Sequence, residues 1–90
     1  MSSVKIYNRV ALLREARGLS RKELAEHLGI NYQTVGYLER GEYNPSLELA
    51  LKMSRFFGLS VELIFSLAPF PPLEATLRAQ SNQHMDSSND

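Results

Sequence analysis

The chain has no cysteine in its 90 residues. That excludes a disulfide framework and any thiolate metal site. It lacks net charge as well: ten Lys and Arg balance ten Asp and Glu. A zero balance argues against tight non-specific binding to nucleic acid, which depends on counterion release by many basic side chains. No apolar run approaches the roughly 20 residues needed to span a bilayer, and no stretch resembles a signal peptide. A reducing cytoplasm is the expected setting, with no membrane partner. Period-2 runs of β-branched residues bounded by hairpin turns are missing, so no strand is expected. Nor is there an internal repeat at solenoid periods. Histidine is scarce, with only His27 and His84. Neither has a second ligand at metal spacing. No Ser/His/Asp set, phosphate-cradling glycine loop or inward carboxylate pair can be assembled. An enzyme is not expected, nor is any cofactor or metal.

What is present is helix punctuation. Ser20 with Glu23 three residues later forms a capping box, and Leu24, Ala25 and Leu28 follow as one apolar face. Gly29 suits a helix C-terminus. Asn31 suits the N-cap of a second helix over 32–40, ended by Gly41, with Val35 and Leu38 pointing inward. Upstream, Asn8 caps a helix over about 8–17, with Val10 and Leu13 inward. Downstream, Pro45 breaks the chain and Ser46 caps a helix over 47–57. The spacing of Leu47, Ala50, Leu51, Ser54 and Phe57 predicts its buried stripe. Gly58 ends that helix, and Ser60 opens a last one over about 61–67, with Ile64 inward. The expected fold is therefore all-α, a compact five-helix domain over residues 1–68.

Residues 69–90 differ in character. Ala-Pro-Phe-Pro-Pro at 68–72 cannot be helical, because each Pro also pushes its predecessor toward extended geometry. Residues 73–79 are expected to form a turn or two of helix and 80–90 to be disordered. Charge divides at the same boundary. Residues 1–68 hold nine basic and seven acidic side chains, a net +2, and residues 69–90 hold one and three, a net −2. The domain itself is mildly basic, as a specific DNA-binding dimer can be.

The helix over 32–40 buries few residues and displays amide and phenol groups, which suits a DNA major groove. At this point the ordered set of fragments resembles a known family. Leu13-Arg14, Gly18-Leu19-Ser20, Glu23-Leu24-Ala25, Leu28-Gly29-Ile30, Thr34-Val35, Leu38-Glu39-Arg40-Gly41, Tyr43-Asn44-Pro45-Ser46-Leu47 and Phe57-Gly58-Leu59-Ser60 look like the lambda-repressor-like (Cro, phage repressor and Xre-type) helix-turn-helix domains. The resemblance covers residues 8–67. It implies a sequence-specific regulator, a repressor that binds a palindromic operator in double-stranded DNA as a homodimer.

By position, the resemblance places Tyr32, Gln33, Gly36 and Tyr37 against base edges. It places Arg21, Lys22, Asn31, Thr34, Arg40, Tyr43 and Asn44 near the DNA backbone. Arg14 and Glu39 match a salt bridge between the first and third helices. Gln33 can pair with adenine N6 and N7; the alternative is an ordinary exposed helix Gln. Tyr32 and Tyr37 touch thymine methyls or phosphates, or else pack on the neighbouring helix. Relatives often carry a longer side chain where Gly36 stands here.

Several apolar residues exceed what the core needs: Leu12, Leu49, Phe56, Leu63, Phe65, Leu67 and Phe70. Either the core is larger than the stripes suggest, or the last helix and residues 65–73 form a dimer face. Leu63, Phe65, Leu67 and Phe70 are the candidates for that face, and 69–79 would contribute. Two rival readings remain: an antitoxin whose tail folds on a protein partner, and a helix-turn-helix-shaped interaction module that leaves DNA alone.

Overall fold

The computed structural model describes residues 4–71. The expectations for residues 73–79 and 80–90 lie outside the described residues. Five helices carry the fold: α1 (Val10–Ala16), α2 (Arg21–Leu28), α3 (Tyr32–Glu39), α4 (Leu47–Phe57) and α5 (Val61–Ile64). A two-residue strand, β1 (Tyr7–Asn8), precedes them and another, β2 (Phe65–Ser66), follows. The two strands pair antiparallel, Tyr7 opposite Ser66 and Asn8 opposite Phe65.

Local chemistry sets most helix ends. The Ser20 Oγ accepts from the Glu23 N–H at 3.0 Å, and the Glu23 carboxylate accepts from the Ser20 N–H at 2.8 Å. Two of the unpaired donors at the start of α2 are thereby satisfied. The N–H of Ser20 binding its carboxylate also holds Glu23 below the usual carboxylate pKa. Gly29 closes α2 at φ +70° and Gly58 closes α4 at φ +68°. This left-handed conformation costs glycine nothing and strains any other L-residue. The Asn31 Oδ1 caps α3 by accepting from the Gln33 N–H at 2.8 Å, and the Ser46 Oγ caps α4 by accepting from the Leu49 N–H at 3.1 Å.

The core gathers one stripe from each helix: Val10, Leu24, Ala25, Leu28, Val35, Leu38, Leu49, Ala50, Met53, Phe57, Ile64 and Phe65. Helix α4 lies in a different phase from the one its spacing suggests. Leu47 and Leu51 are exposed, while Leu49, Ala50, Met53 and Phe57 are buried. Leucines at 47, 49 and 51 surround much of the helix, so more than one stripe meets the 3.6-residue period. The position of α2 and α5 against α4 selects among them.

The chain ends of the domain also correct the sequence reading. Helix α1 begins at Val10, not Asn8. Asn8 still serves its start, since its Oδ1 accepts from the Val10 N–H at 3.0 Å. Helix α5 stops at Ile64 instead of running to 67, because Phe65 turns to extended backbone (φ −125°, ψ 144°). The expectation of no strand fails here. A two-residue ladder is too short to leave an alternation in the sequence. The pairing places Phe65 in the core and ties the N-terminal segment to the end of α5, helped by the Arg9 N–H bonded to the Ile64 carbonyl at 2.9 Å.

Candidate nucleic-acid interface

Helices α2 and α3 with the Gly29-Ile30-Asn31 turn form the helix-turn-helix unit, with α3 as its second helix. The inner side of α3 is fixed three ways. Val35 and Leu38 are fully buried. The Asn8 Nδ2 donates to the Leu38 carbonyl at 2.8 Å, holding the helix near its C-terminal end. Third, the Glu39 carboxylate, its side chain only 3% exposed, receives two arginines. The Arg14 Nε donates to Glu39 Oε2 at 2.6 Å, and the Arg21 Nε donates to Oε1 at 2.9 Å. Arg14 also donates from Nη1 to the Leu19 carbonyl at 2.8 Å, which satisfies a second face of its guanidinium. The hydrogen bond to Glu39 outweighs the cost of burial and raises the Arg14 pKa above its ordinary value. The Arg14–Glu39 pair expected from the resemblance is thus present, and Glu39 links α1, α2 and α3.

The outer side of α3 is open. Tyr32 is 55% and Tyr37 46% exposed, and Gln33 is exposed between them. With Arg21, Gly36 and Arg40 they line a shallow depression of about 220 Å³. Gly36 itself is covered, not presented. A β-carbon built there would stand 3.1 Å from Arg40 Nη1. The Arg40 guanidinium folds back from the C-cap, its carbon 5.3 Å from the centre of the Tyr37 ring, and its Nε pairs with Glu42 Oε2 at 3.2 Å. Of the four residues expected against base edges, three are displayed and one is roofed by an arginine.

The residues expected along the DNA backbone are more scattered. Arg21 is shared between Glu39 and solvent, with its side chain half exposed. Lys22 is exposed at the start of α2. Asn31 commits its side-chain Oδ1 to the cap. Half-buried Thr34 and exposed Tyr43 line a separate depression with Ile30 and Lys52, and Asn44 is exposed beside it. Sequence reasoning gave Asn8 only a capping role. Its bond to Leu38, thirty positions away, leaves no local signal. Arg17 likewise has no local signal for its role. It donates to the Phe56 and Phe57 carbonyls at 3.1 and 2.8 Å, and so closes the end of α4.

The dimer-face candidates divide. Phe65 belongs to the core, 9% exposed, because β2 turns it inward, and it is withdrawn from that face. Leu63 and Leu67 are exposed. Phe70 lies back on its own domain, with the Arg9 guanidinium 4.2 Å over its ring. Among the described residues no group of three or more His, Cys, Asp or Glu is placed to hold a metal ion. No helix among them is long and apolar enough to cross a membrane.

Comparison with known proteins assigns this geometry to a class. The helix-turn-helix family model matches residues 10–64. The chain belongs to that family, in its lambda-repressor-like (Xre-type) branch of DNA-binding transcriptional regulators. It is 41% identical over 58 residues to an uncharacterised HTH-type transcriptional regulator of Methanocaldococcus jannaschii, covering 64% of this chain and 88% of the relative. It is 43% identical over 60 residues to the uncharacterised HTH-type transcriptional regulator YgzD of Bacillus subtilis, covering 67% and 91%. Among solved structures it is similar to the restriction-modification controller protein C.AhdI of Aeromonas hydrophila. That match has a TM-score of 0.57 at 36% identity, over 61% of this chain and 83% of that one.

Proposed function

We propose that this protein is a sequence-specific transcriptional repressor that occupies a palindromic operator in double-stranded DNA as a homodimer, in the cytoplasm. The observation that carries the reading is α3 itself. Its inner face is anchored by Val35, Leu38 and Glu39, so its outer face can present Tyr32, Gln33 and Tyr37 as a fixed unit. Rigid presentation matters because each bidentate base contact discriminates only when its donors hold their geometry. Arg21, Lys22 and the exposed Tyr43 and Asn44 flank the unit and supply phosphate contacts. Exposed Leu63 and Leu67 supply apolar surface for a second copy. Two α3 helices would then lie about 34 Å apart, one turn of DNA. Occupying an operator is the whole mechanism, since it needs no chemistry beyond binding.

Selection of bound sites from a random duplex library tests the reading. An enriched palindrome with half-sites one turn apart is the expected result. Absence of any enriched sequence at low salt would overturn it in favour of a protein-interaction module. Affinity for the enriched site should fall with salt at a log–log slope near −5, as expected for about six neutralised phosphates.

A further inference from the structure

We propose that Arg40 reads a base, guanine, through the place that Gly36 leaves vacant on α3. The proposal rests on the DNA-binding reading above and names a specificity determinant within it. Side chains on a helix cover the turn N-terminal to their own Cα, so a residue at 40 naturally lies over position 36. With any ordinary side chain at 36, that patch would be filled from within the helix. Here it is filled by Arg40 Nη1, 3.1 Å from where a β-carbon would stand, with Nη2 at 3.8 Å.

The patch belongs to the displayed face. Arg40 lines the same depression as Tyr32, Gln33 and Tyr37. The guanidinium is steadied on two sides, by the Tyr37 ring and by Glu42 through Nε. Nη1 stands nearest the Gly36 position, with Cζ and Nη2 both at 3.8 Å, and Nε is engaged by Glu42. That leaves Nη1 and Nη2 as the pair of N–H donors that guanine O6 and N7 accept in the major groove. A phosphate-clamping arginine at a helix C-terminus would gain nothing from a glycine one turn back. The Gly36 vacancy and the folded-back Arg40 therefore form one device. It also fills the gap left by a recognition helix with few strong base readers.

The test uses the full chain and the site enriched in the selection described above. Binding is measured for that site and for its single-base variants, with wild type, Arg40→Lys, Arg40→Ala and Gly36→Ala. The expected result is that wild type prefers guanine at one position per half-site. Arg40→Lys keeps the charge but loses that preference by about ten- to hundred-fold, with discrimination elsewhere and the salt slope retained. Gly36→Ala, which crowds the guanidinium, weakens discrimination at the same position only. If Arg40→Lys discriminates as wild type does, and Arg40→Ala weakens all sequences equally with a salt slope shallower by about one, Arg40 is a phosphate contact and the proposal fails. Thermal melts of each variant separate these outcomes from loss of fold. Failure to enrich any site with wild type sinks the DNA-binding reading itself, a different result from either.

Discussion

The two faces of α3 hold charge by opposite means. On the inner face, Glu39 is withdrawn from water and shared between Arg14 and Arg21. On the outer face, Arg40 and Glu42 make a similar ion pair with both side chains about half exposed, 48% and 55%. The same chemical pairing has different consequences in the two places. A buried carboxylate without its partners costs several kcal/mol in desolvation, whereas an exposed pair gives back to water most of what it gains. The inner pair fixes where the helix lies. The outer pair contributes little to stability and only steadies a side chain whose other nitrogens stay open to solvent.

Substitutions can break that contrast. The largest effect is expected from Glu39→Ala, which strands Arg14 and should destabilise the domain by about 3–5 kcal/mol. Half-exposed Arg21 can return to water, so a value near the lower end is expected. Chemical denaturation measures it, and Glu42→Ala and Glu48→Ala serve as exposed controls, each within about 0.5 kcal/mol of wild type. Equal melting temperatures for the three variants would erase the distinction between the faces. Next is Asn8→Ala, which removes the donor to the Leu38 carbonyl and a cap on α1 at once. A loss of about 1–2 kcal/mol is expected, with weaker operator binding only in proportion to the unfolded fraction.

Ser20→Ala should cost about 1 kcal/mol by opening the capping box. The box carries a pH signature as well. The depressed Glu23 pKa means its contribution is fully present above the unfolded carboxylate pKa and is lost as pH falls through the lower folded value. A Glu23→Gln variant should show a shallower loss of stability across that acid window, and an unchanged profile would remove the box from the account. The smallest effect has the opposite sign. Gly36→Ala should stabilise α3 by up to about 1 kcal/mol through helix propensity, because the atom it meets is the movable end of Arg40. A rise in melting temperature with a loss of base discrimination would show that the outer face trades stability for reading.

Much of the molecule was legible in the residues. Ser20, Glu23, Gly29, Asn31, Ser46 and Gly58 mark helix ends through bonds and dihedral angles that involve near neighbours only, so α2, α3 and α4 lie close to where the sequence places them. Local spacing does not point to the Arg14–Glu39 bridge, whose partners stand twenty-five positions apart; only the family resemblance does. The buried stripe of α4 is not legible, because leucines at 47, 49 and 51 satisfy the helical period in more than one direction. The end of α5 is not legible either, because the two-residue strand that follows it has no periodicity to read. Of the two places open to Phe65, a larger core or a dimer face, the same short strand selects the core.

The sequence by itself determined the helix boundaries set by caps, the all-α class and the polar outer face of α3, because these depend on contacts within a turn or two of chain. Tertiary structure alone decided which side of α4 is buried, that Phe65 joins the core through the β1–β2 pair, and that Asn8 clamps the end of α3. All three depend on groups far apart in the chain meeting across a shared core.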